Sequence, residues 1–422
     1  MYRIKSVSVD GFWGSHKISS DFQDSVNIVI GRNGTGKTTF MEILRSVLSV
    51  DVEAIDDLDF TSAEIILRDG SKTKKITATK KYLDNISTGF VEYKISNKKY
   101  SARLARLDAS RYPISIRNRF LEEIQNIRGE LSDIVKISSL SVYRTKREDD
   151  FEVIDRKTKK IISPVDYRLE ELLSRLTRYQ LELSQQARKI GSELQKEVLA
   201  SLLYTKADMQ NQIQFSLEFN KEVEKRKLSS AYKQLGVLDS RIQRKIIEHV
   251  DYVDRFMNAL KGSSLESKSS LPSFVQLESI ARVSKIVELS IKAEEETKIV
   301  YSPISKLLEI AKKFIQDKKI EIIDGALIIE GKDQIALSKL SSGEKQLLIL
   351  LIEALLQCEQ EYVFLADEPE LSLHIAWQRQ IIPAIQELNP KAQIIVATHS
   401  PEIAGGFADT IIDMEDMFRV ES

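Results

Sequence analysis

The sequence runs to 422 residues, enough for one large core or two smaller ones, and sets 62 Lys and Arg against 63 Asp and Glu for a formal net charge of -1. That balance excludes a molecule-wide attraction to nucleic acid, so any such contact has to be local. One cysteine, Cys358, excludes an intrachain disulfide; the opening MYRIKSVSVDGF lacks the apolar run of a secretory leader; and the longest apolar stretch, Leu347 to Leu356, is broken by Glu353 and too short for a bilayer, so a cytoplasmic protein with no membrane partner is expected.

In chain order, Ile4, Val7, Val9 and Phe12 alternate loosely and predict a strand, and VNIVIG (26–31) predicts a buried one. GRNGTGKTTFMEILRSVL follows, a glycine loop opening a helix whose Phe40, Ile43, Leu44 and Leu48 recur at helical spacing. AEIILRDG (63–70) and FVEYKIS (90–96) read as further strands. The basic stretches SKTKKITATKK (71–81) and RTKR (144–147) have no interleaved aromatics for base stacking, so they read first as solvated surface and second as a local DNA contact.

From Val165 the pattern changes. Leu169, Leu172, Leu176, Tyr179, Leu183, Ala187, Ile190 and Leu194 recur three or four apart between charged residues, the stripe of a long coiled-coil-like helix. The polar, helical character continues to about Lys292, interrupted by a loop at GSSLESKSSLPS (262–273), which describes an inserted helical arm or lobe. Ser302 before Pro303 reads as a helix start, with serine as cap and proline at the first helical position. KIEIIDGALIIEG sets Asp324 and Gly325 between two apolar runs, a hairpin signal. LSSGEKQ (340–346), a helix, the strand YVFLAD (362–367), a helix through Trp377 and the strand QIIVAT (393–398) complete an α/β pattern with a mainly parallel sheet and no internal repeat.

Gly31, Arg32, Asn33, Gly34, Thr35, Gly36, Lys37 and Thr38 fit GxxxxGK[ST] between a strand and a helix, the context in which that pattern is specific. Glycines let successive N–H groups curl around phosphate oxygens, Lys37 neutralises the β- and γ-phosphates, and the Thr38 hydroxyl ligates Mg²⁺; Arg32 to Gly36 and Thr39 complete the expected ATP contacts. Downstream, a buried strand ends in Asp367, positioned to hold the metal, and Glu368, positioned to activate water. His399 follows the strand 393–398 and is expected to reach the γ-phosphate or the attacking water. Ser341, Ser342 and Gly343 precede a helix apolar almost all round. They read as a second anion site that closes over a nucleotide held by another subunit, the plain alternative being an ordinary helix cap.

GRNGTGKT, LSSGEKQ, VFLADEPELSLH and IIVATHSP, in that order around a helical insertion, resemble the ABC-type P-loop ATPase head shared by SMC, RecF and OLD-family proteins, over roughly 1–140 and 300–422. The resemblance implies an α/β head with a mixed sheet, divided into an N-terminal part (1–140), a helical insertion (141–300) and a C-terminal part (301–422). It also implies a homodimer or higher homo-oligomer built through the heads, with ATP between the phosphate loop of one copy and Ser341, Ser342 and Gly343 of the other. Lys37 and Thr38 would bind phosphates and Mg²⁺, Asp367 the metal, Glu368 would be the base, His399 the switch, and Glu370 to His374 the loop communicating between subunits. DEPE followed by LSLH is similar to the OLD and RecF side of the group.

Several features depart from the pattern. The insertion is short for an SMC arm and has no CxxC hook, FWGSH (12–16) is similar to the FRSH of DNA-repair heads without its arginine, and the glutamine loop has only Tyr143 and Arg144 as candidates. OLD-family nucleases continue into a TOPRIM domain; with the sequence ending soon after Pro401, none is expected here. The layout is similar to ATPase subunits of bacterial anti-phage systems of the PARIS, Septu and retron-associated types, which implies a separate effector nuclease under ATPase control. The alternative is a RecF-like ATPase of repair or replication, with DNA as its partner.

Overall fold

A computed structural model of the chain describes residues 2–83, 86–104, 114–141, 153–154, 161–201, 220–234, 238–262, 274–323, 325–330, 339–357 and 360–419. From the N-terminus, β1 (Arg3–Phe12) and β2 (His16–Asp21) form a hairpin, and β3 (Val26–Ile30) leads through the glycine loop into α1 (Lys37–Ser49) and α2 (Val52–Asp57). β4 (Ser62–Asp69), β5 (Lys72–Leu83), β6 (Ile86–Ile95) and β7 (Lys98–Leu104) then run as an antiparallel meander. α3 (Ile114–Ser132), β8 (Ile137–Ser141) and the two-residue pair β9 (Val153–Ile154) and β10 (Ile161–Ile162) precede four helices: α4 (Pro164–Ser201), α5 (Lys221–Gln234), α6 (Ser240–Gly262) and α7 (Phe274–Phe314). The hairpin β11 (Lys319–Ile323) and β12 (Ala326–Glu330), then α8 (Ser342–Leu356), β13 (Val363–Asp367), α9 (Ile375–Leu388), β14 (Gln393–Ala397), α10 (Pro401–Ala404), β15 (Ile411–Asp413) and β16 (Phe418–Arg419) complete the order.

The chain divides into two compact units, one of Met1–Thr177 with Lys306–Ser422, the other Arg178–Ser305. In the first, an antiparallel sheet in the order β16-β2-β1-β4-β5-β6-β7 and a parallel sheet in the order β15-β3-β14-β13-β8 share one core. α1 is enclosed in it: besides the expected Phe40, Ile43, Leu44 and Leu48, Met41 and Val47 are buried, which only a helix covered on more than one side requires. Side chains alternate along a strand, so Leu365 and Ile395 enter this core while Phe364 and Ile394 face the other way. α8 lies on that second face, because Ser138, the register partner of Phe364, donates its hydroxyl to Glu353 of α8 at 2.7 Å. The run Leu347–Leu355 is buried, as its near-total lack of a polar side demands.

The second unit is helical. Leu228 and Ala231 of α5 pack with Ile246 and Val250 of α6 and Val287 of α7 in a small core. Of the stripe expected along α4, Leu183 and Leu194 are buried in this unit and Leu169, Leu172 and Leu176 in the first.

Two readings of the sequence need correction. Pro303 does not open a helix but lies inside α7. Proline cannot donate to the carbonyl four residues back, that of Ile299, and the Ser302 hydroxyl supplies that carbonyl with a donor instead, at 2.8 Å. The stretch 71–81 is not solvated throughout. It forms β5, and Lys80 turns inward to 8% exposure over the Phe60 ring, donating to the carbonyls of Leu58 and Asp56, with burial holding its ammonium below the usual lysine range. RTKR at 144–147, Tyr143, Cys358, Asp324 and all but Gly262 of the loop at 262–273 lie outside the described residues. Among the described residues no helix is long and apolar enough to cross a membrane.

Candidate functional site

All five strands of the second sheet are parallel, so their carboxyl ends meet at one edge: Gly31 after β3, Glu368 after β13, and Thr398 and His399 after β14. The loop from Gly31 to α1 is shaped by glycines. Gly36 has φ 92, the left-handed region, and a Cβ there would fall 2.7 Å from Phe12 and 2.8 Å from Trp13, so both backbone and space demand glycine. The same packing brings FWGSH against the phosphate loop. The Trp13 ring centroid lies 4.9 Å from that of Phe12, and the residue, with φ 52, is 42% exposed beside the start of α1.

Lys37, the first residue of α1, is only 4% exposed. Its ammonium donates to the carbonyls of Gly31 at 2.7 Å and Arg32 at 3.0 Å and lies 3.5 Å from His399 Nδ1. Burial pushes this ammonium below the usual lysine range against the opposing pull of Glu368, Asp367, Asp413 and Glu370. Because an ammonium can only donate, His399 Nδ1 accepts and the ring proton of the neutral imidazole belongs on Nε2, which stands 3.8 Å from Glu368 Oε1. One residue along, the Thr38 hydroxyl donates to Asp367 Oδ1 at 3.4 Å. Glu368 has φ 49, and its amide donates to the Ala397 carbonyl at 2.8 Å, tying the turn after β13 to the end of β14.

These contacts gather Lys37, Thr38, Asp367, Glu368 and His399, five residues picked from three separate motifs. Of the rest of the loop, Thr35 donates its hydroxyl to the Arg32 carbonyl at 2.9 Å, Thr39 is half-buried, and Asn33, Gly34 and the Arg32 side chain are exposed, the last 3.7 Å from Glu415. A cavity of about 570 Å³, lined by Gly31, Arg32, His399 and Asp413 among others, opens beside it. A hydroxyl and a carboxylate in mutual reach fit Mg²⁺, which takes few protein oxygens and completes its shell with water and substrate phosphates. Among the described residues no cluster of three His, Cys, Asp or Glu side chains forms a metal site of its own.

Ser341, Ser342 and Gly343 are not drawn onto this loop. Ser341 caps α8 in a reciprocal box: its hydroxyl accepts from the Glu344 amide, and its own amide donates to the Glu344 carboxylate at 2.9 Å. Lys318 pairs with Glu344 from below. Gly343 is buried against the Ser372 carbonyl, closer than any Cβ could approach, which locks the start of α8 to the 370–374 loop while Ser341 and Ser342 remain exposed.

Two neighbours of the site carry no signal in the sequence. In FWGSH the sequence shows only the absence of the arginine of FRSH, not the approach of Trp13 to the phosphate loop. Glu370, expected merely as part of an intersubunit loop, turns its carboxylate inward to the residues after β14. Neither contact leaves a local spacing signal, since the partners are tens of residues away.

A family model described as the AAA ATPase domain matches residues 1–404. The retron Ec83 probable ATPase of Escherichia coli is 33% identical over 89 residues, a match spanning 18% of this chain and 16% of that protein. The chain is also similar to the Smc head domain with an extended coiled coil, bound to the C-terminal domain of ScpA, from Pyrococcus furiosus, at 16% identity and TM-score 0.44, covering 98% of this chain and 93% of that one. For the SMC head domain of Thermotoga maritima the identity is 12% and the TM-score 0.41, covering 97% and 94%. Matched along nearly its whole length, the chain belongs to the AAA ATPase domain family.

Proposed function

We propose that the protein hydrolyses ATP with Mg²⁺, pairs with a second copy through the bound nucleotide, and uses that cycle to control a separate effector nuclease in defence against phage. The observation that carries the hydrolytic part is the run of contacts Lys37–His399–Glu368 beside Thr38–Asp367 at one strand edge. Phosphates entering the loop replace the Gly31 and Arg32 carbonyls as acceptors for Lys37, whose buried charge then gains a full counter-charge. Thr38 and Asp367 would hold Mg²⁺, which would offset the charge developing on the transferring phosphoryl group. Glu368 accepts the proton of the attacking water, and His399 keeps that carboxylate and the phosphate end in register through its two ring nitrogens. The exposed Trp13 face offers the base a stacking surface.

Pairing is supported by what one chain leaves open: Ser341 and Ser342 stand exposed at the start of α8, held by Gly343 against the 370–374 loop and not by the phosphate loop. Control of an effector is supported by the retron ATPase relative and by the motif resemblance. Purified protein is expected to release phosphate from Mg-ATP, with Glu368→Gln retaining ATP binding while turnover falls by about 10²-fold or more. Unchanged turnover in that variant would mean that the base is another residue. Phage protection by this gene alone, with no companion gene, would remove the effector.

A further inference from the structure

We infer that Glu370 is the positioning residue for His399, a role that rests on the hydrolytic reading above and deepens it. Glu370 lies two residues beyond Glu368, in the turn after β13, yet one of its carboxylate oxygens, Oε1, receives three donors from the turn after β14: the amide of His399 at 2.9 Å, the amide of Ser400 at 3.1 Å and the hydroxyl of Thr398. The other oxygen, Oε2, is buried without a hydrogen-bond partner. A carboxylate that accepts two consecutive amides is a strong, charge-assisted clamp, because it fixes the peptide plane from which the side chain departs. Here that side chain is the imidazole between Lys37 and Glu368.

The clamp is reinforced on its far side. The Ser400 amide also reaches the Thr398 hydroxyl at 2.9 Å, and the Ser400 hydroxyl donates to Gln378 of α9 at 2.7 Å while capping α10. With the Glu368 amide bonded to the Ala397 carbonyl, the two turns are stitched at either end of the imidazole's reach. A shift of the turn carrying Glu368 is therefore transmitted to His399 through two separate bonds, and both nitrogens of the ring move with it. Simple loop bracing would need one hydrogen bond and no charge; a formal negative charge placed under the His399 peptide, within electrostatic range of Lys37, is more than bracing requires.

The test uses the four histidines as reporters. In protein labelled at the imidazole Cε1, with the His399 signal assigned by its loss in His399→Ala, Glu370→Ala is expected to displace or broaden that signal and leave those of His16, His249 and His374 in place. This readout needs no turnover, so it decides the inference even if the protein proves not to hydrolyse ATP. In the hydrolysis assay, Glu370→Ala is expected to lower kcat by roughly 10- to 100-fold with KM little changed, and to cost nothing further in a His399→Ala background. Glu370→Gln keeps an oxygen at the Oε1 position but removes its charge, and is expected to recover only part of the turnover. Should Glu370→Ala fail to fold, Glu370→Asp, which withdraws the carboxylate by one methylene, is expected to displace the same signal. A wild-type His399 signal in Glu370→Ala or Glu370→Asp, or a full additional loss in the double variant, overturns the inference.

Discussion

Removing the Lys37 ammonium strips the site of its most buried charge, so Lys37→Ala is expected to lower kcat/KM for ATP by about 10²- to 10³-fold, read as phosphate release. In the proposed reading Trp13 belongs to the other end of the nucleotide. Stacking of a base on an aromatic ring is worth about 1–3 kcal/mol, so Trp13→Ala is expected to raise KM by about 5- to 150-fold with kcat nearly intact, whereas an equal fall in kcat would place the indole in the chemistry instead. At this scale the phosphate loop and the Asp367–Glu368 pair were legible because each is a local string whose spacing the chemistry dictates. His399 was legible from its place directly after a strand. Trp13 and Glu370 were not, because what defines them is a neighbour far along the chain: Gly36 in one case, the turn at 398–400 in the other.

Among elements, α8 holds the motif expected to meet a second copy, and its start is set by two features that can be tested separately. Gly343→Ala puts a methyl group into the Ser372 carbonyl; since backbone meets backbone, one has to move, and a loss of about 1–3 kcal/mol is expected in denaturant melts. Burial pushes the Glu344 carboxyl upward, but the Lys318 ammonium and the Ser341 donors outweigh it and hold the group below the usual carboxylate range. The folded state thus keeps this carboxylate charged to lower pH than the unfolded chain does, so its contribution is complete above the ordinary glutamate range and lost as pH falls through the lowered value. Glu344→Gln is expected to be about 1 kcal/mol less stable near pH 7 and to converge with the wild type on acidification; a gap that persists in acid contradicts the assignment. The strands β1, β3, β4, β6, β13 and β14 were readable from their apolar periodicity. β2, β5 and β7 were hidden by their lysines and serines, because an edge or half-covered strand needs apolar residues on one face only, and Lys80 supplied a buried position that composition assigns to solvent. Pro303 was misplaced because the serine before it can mend a helix as readily as begin one.

For the molecule as a whole, the boundaries between the α/β unit and the helical unit, at Thr177 and Arg178 and at Ser305 and Lys306, fall within α4 and α7, whereas the pattern of the sequence changes near Val165; a helix need not end where a compact unit does. Of the five lysines in the basic stretch 71–81, Lys80 is buried, Lys75 pairs with Glu64 at 2.7 Å and Lys81 with Glu92 at 2.8 Å, and Lys74 lies over the Tyr2 ring, so the stretch presents duplex DNA chiefly with the exposed Lys72. DNA binding carried by this strand, weakening steeply with salt, is therefore not expected, and its detection would favour the repair reading. The central claim is that ATP is held between two copies, the phosphate loop of one and the exposed Ser341–Ser342 turn of the other. The direct measurement is the mass in solution, by light scattering, of the hydrolysis-impaired Glu368→Gln protein with and without Mg-ATP. A mass that doubles on adding nucleotide, and returns to that of one chain when Ser342→Arg is combined with it, is the expected result; a single-chain mass at saturating, bound ATP would contradict the account.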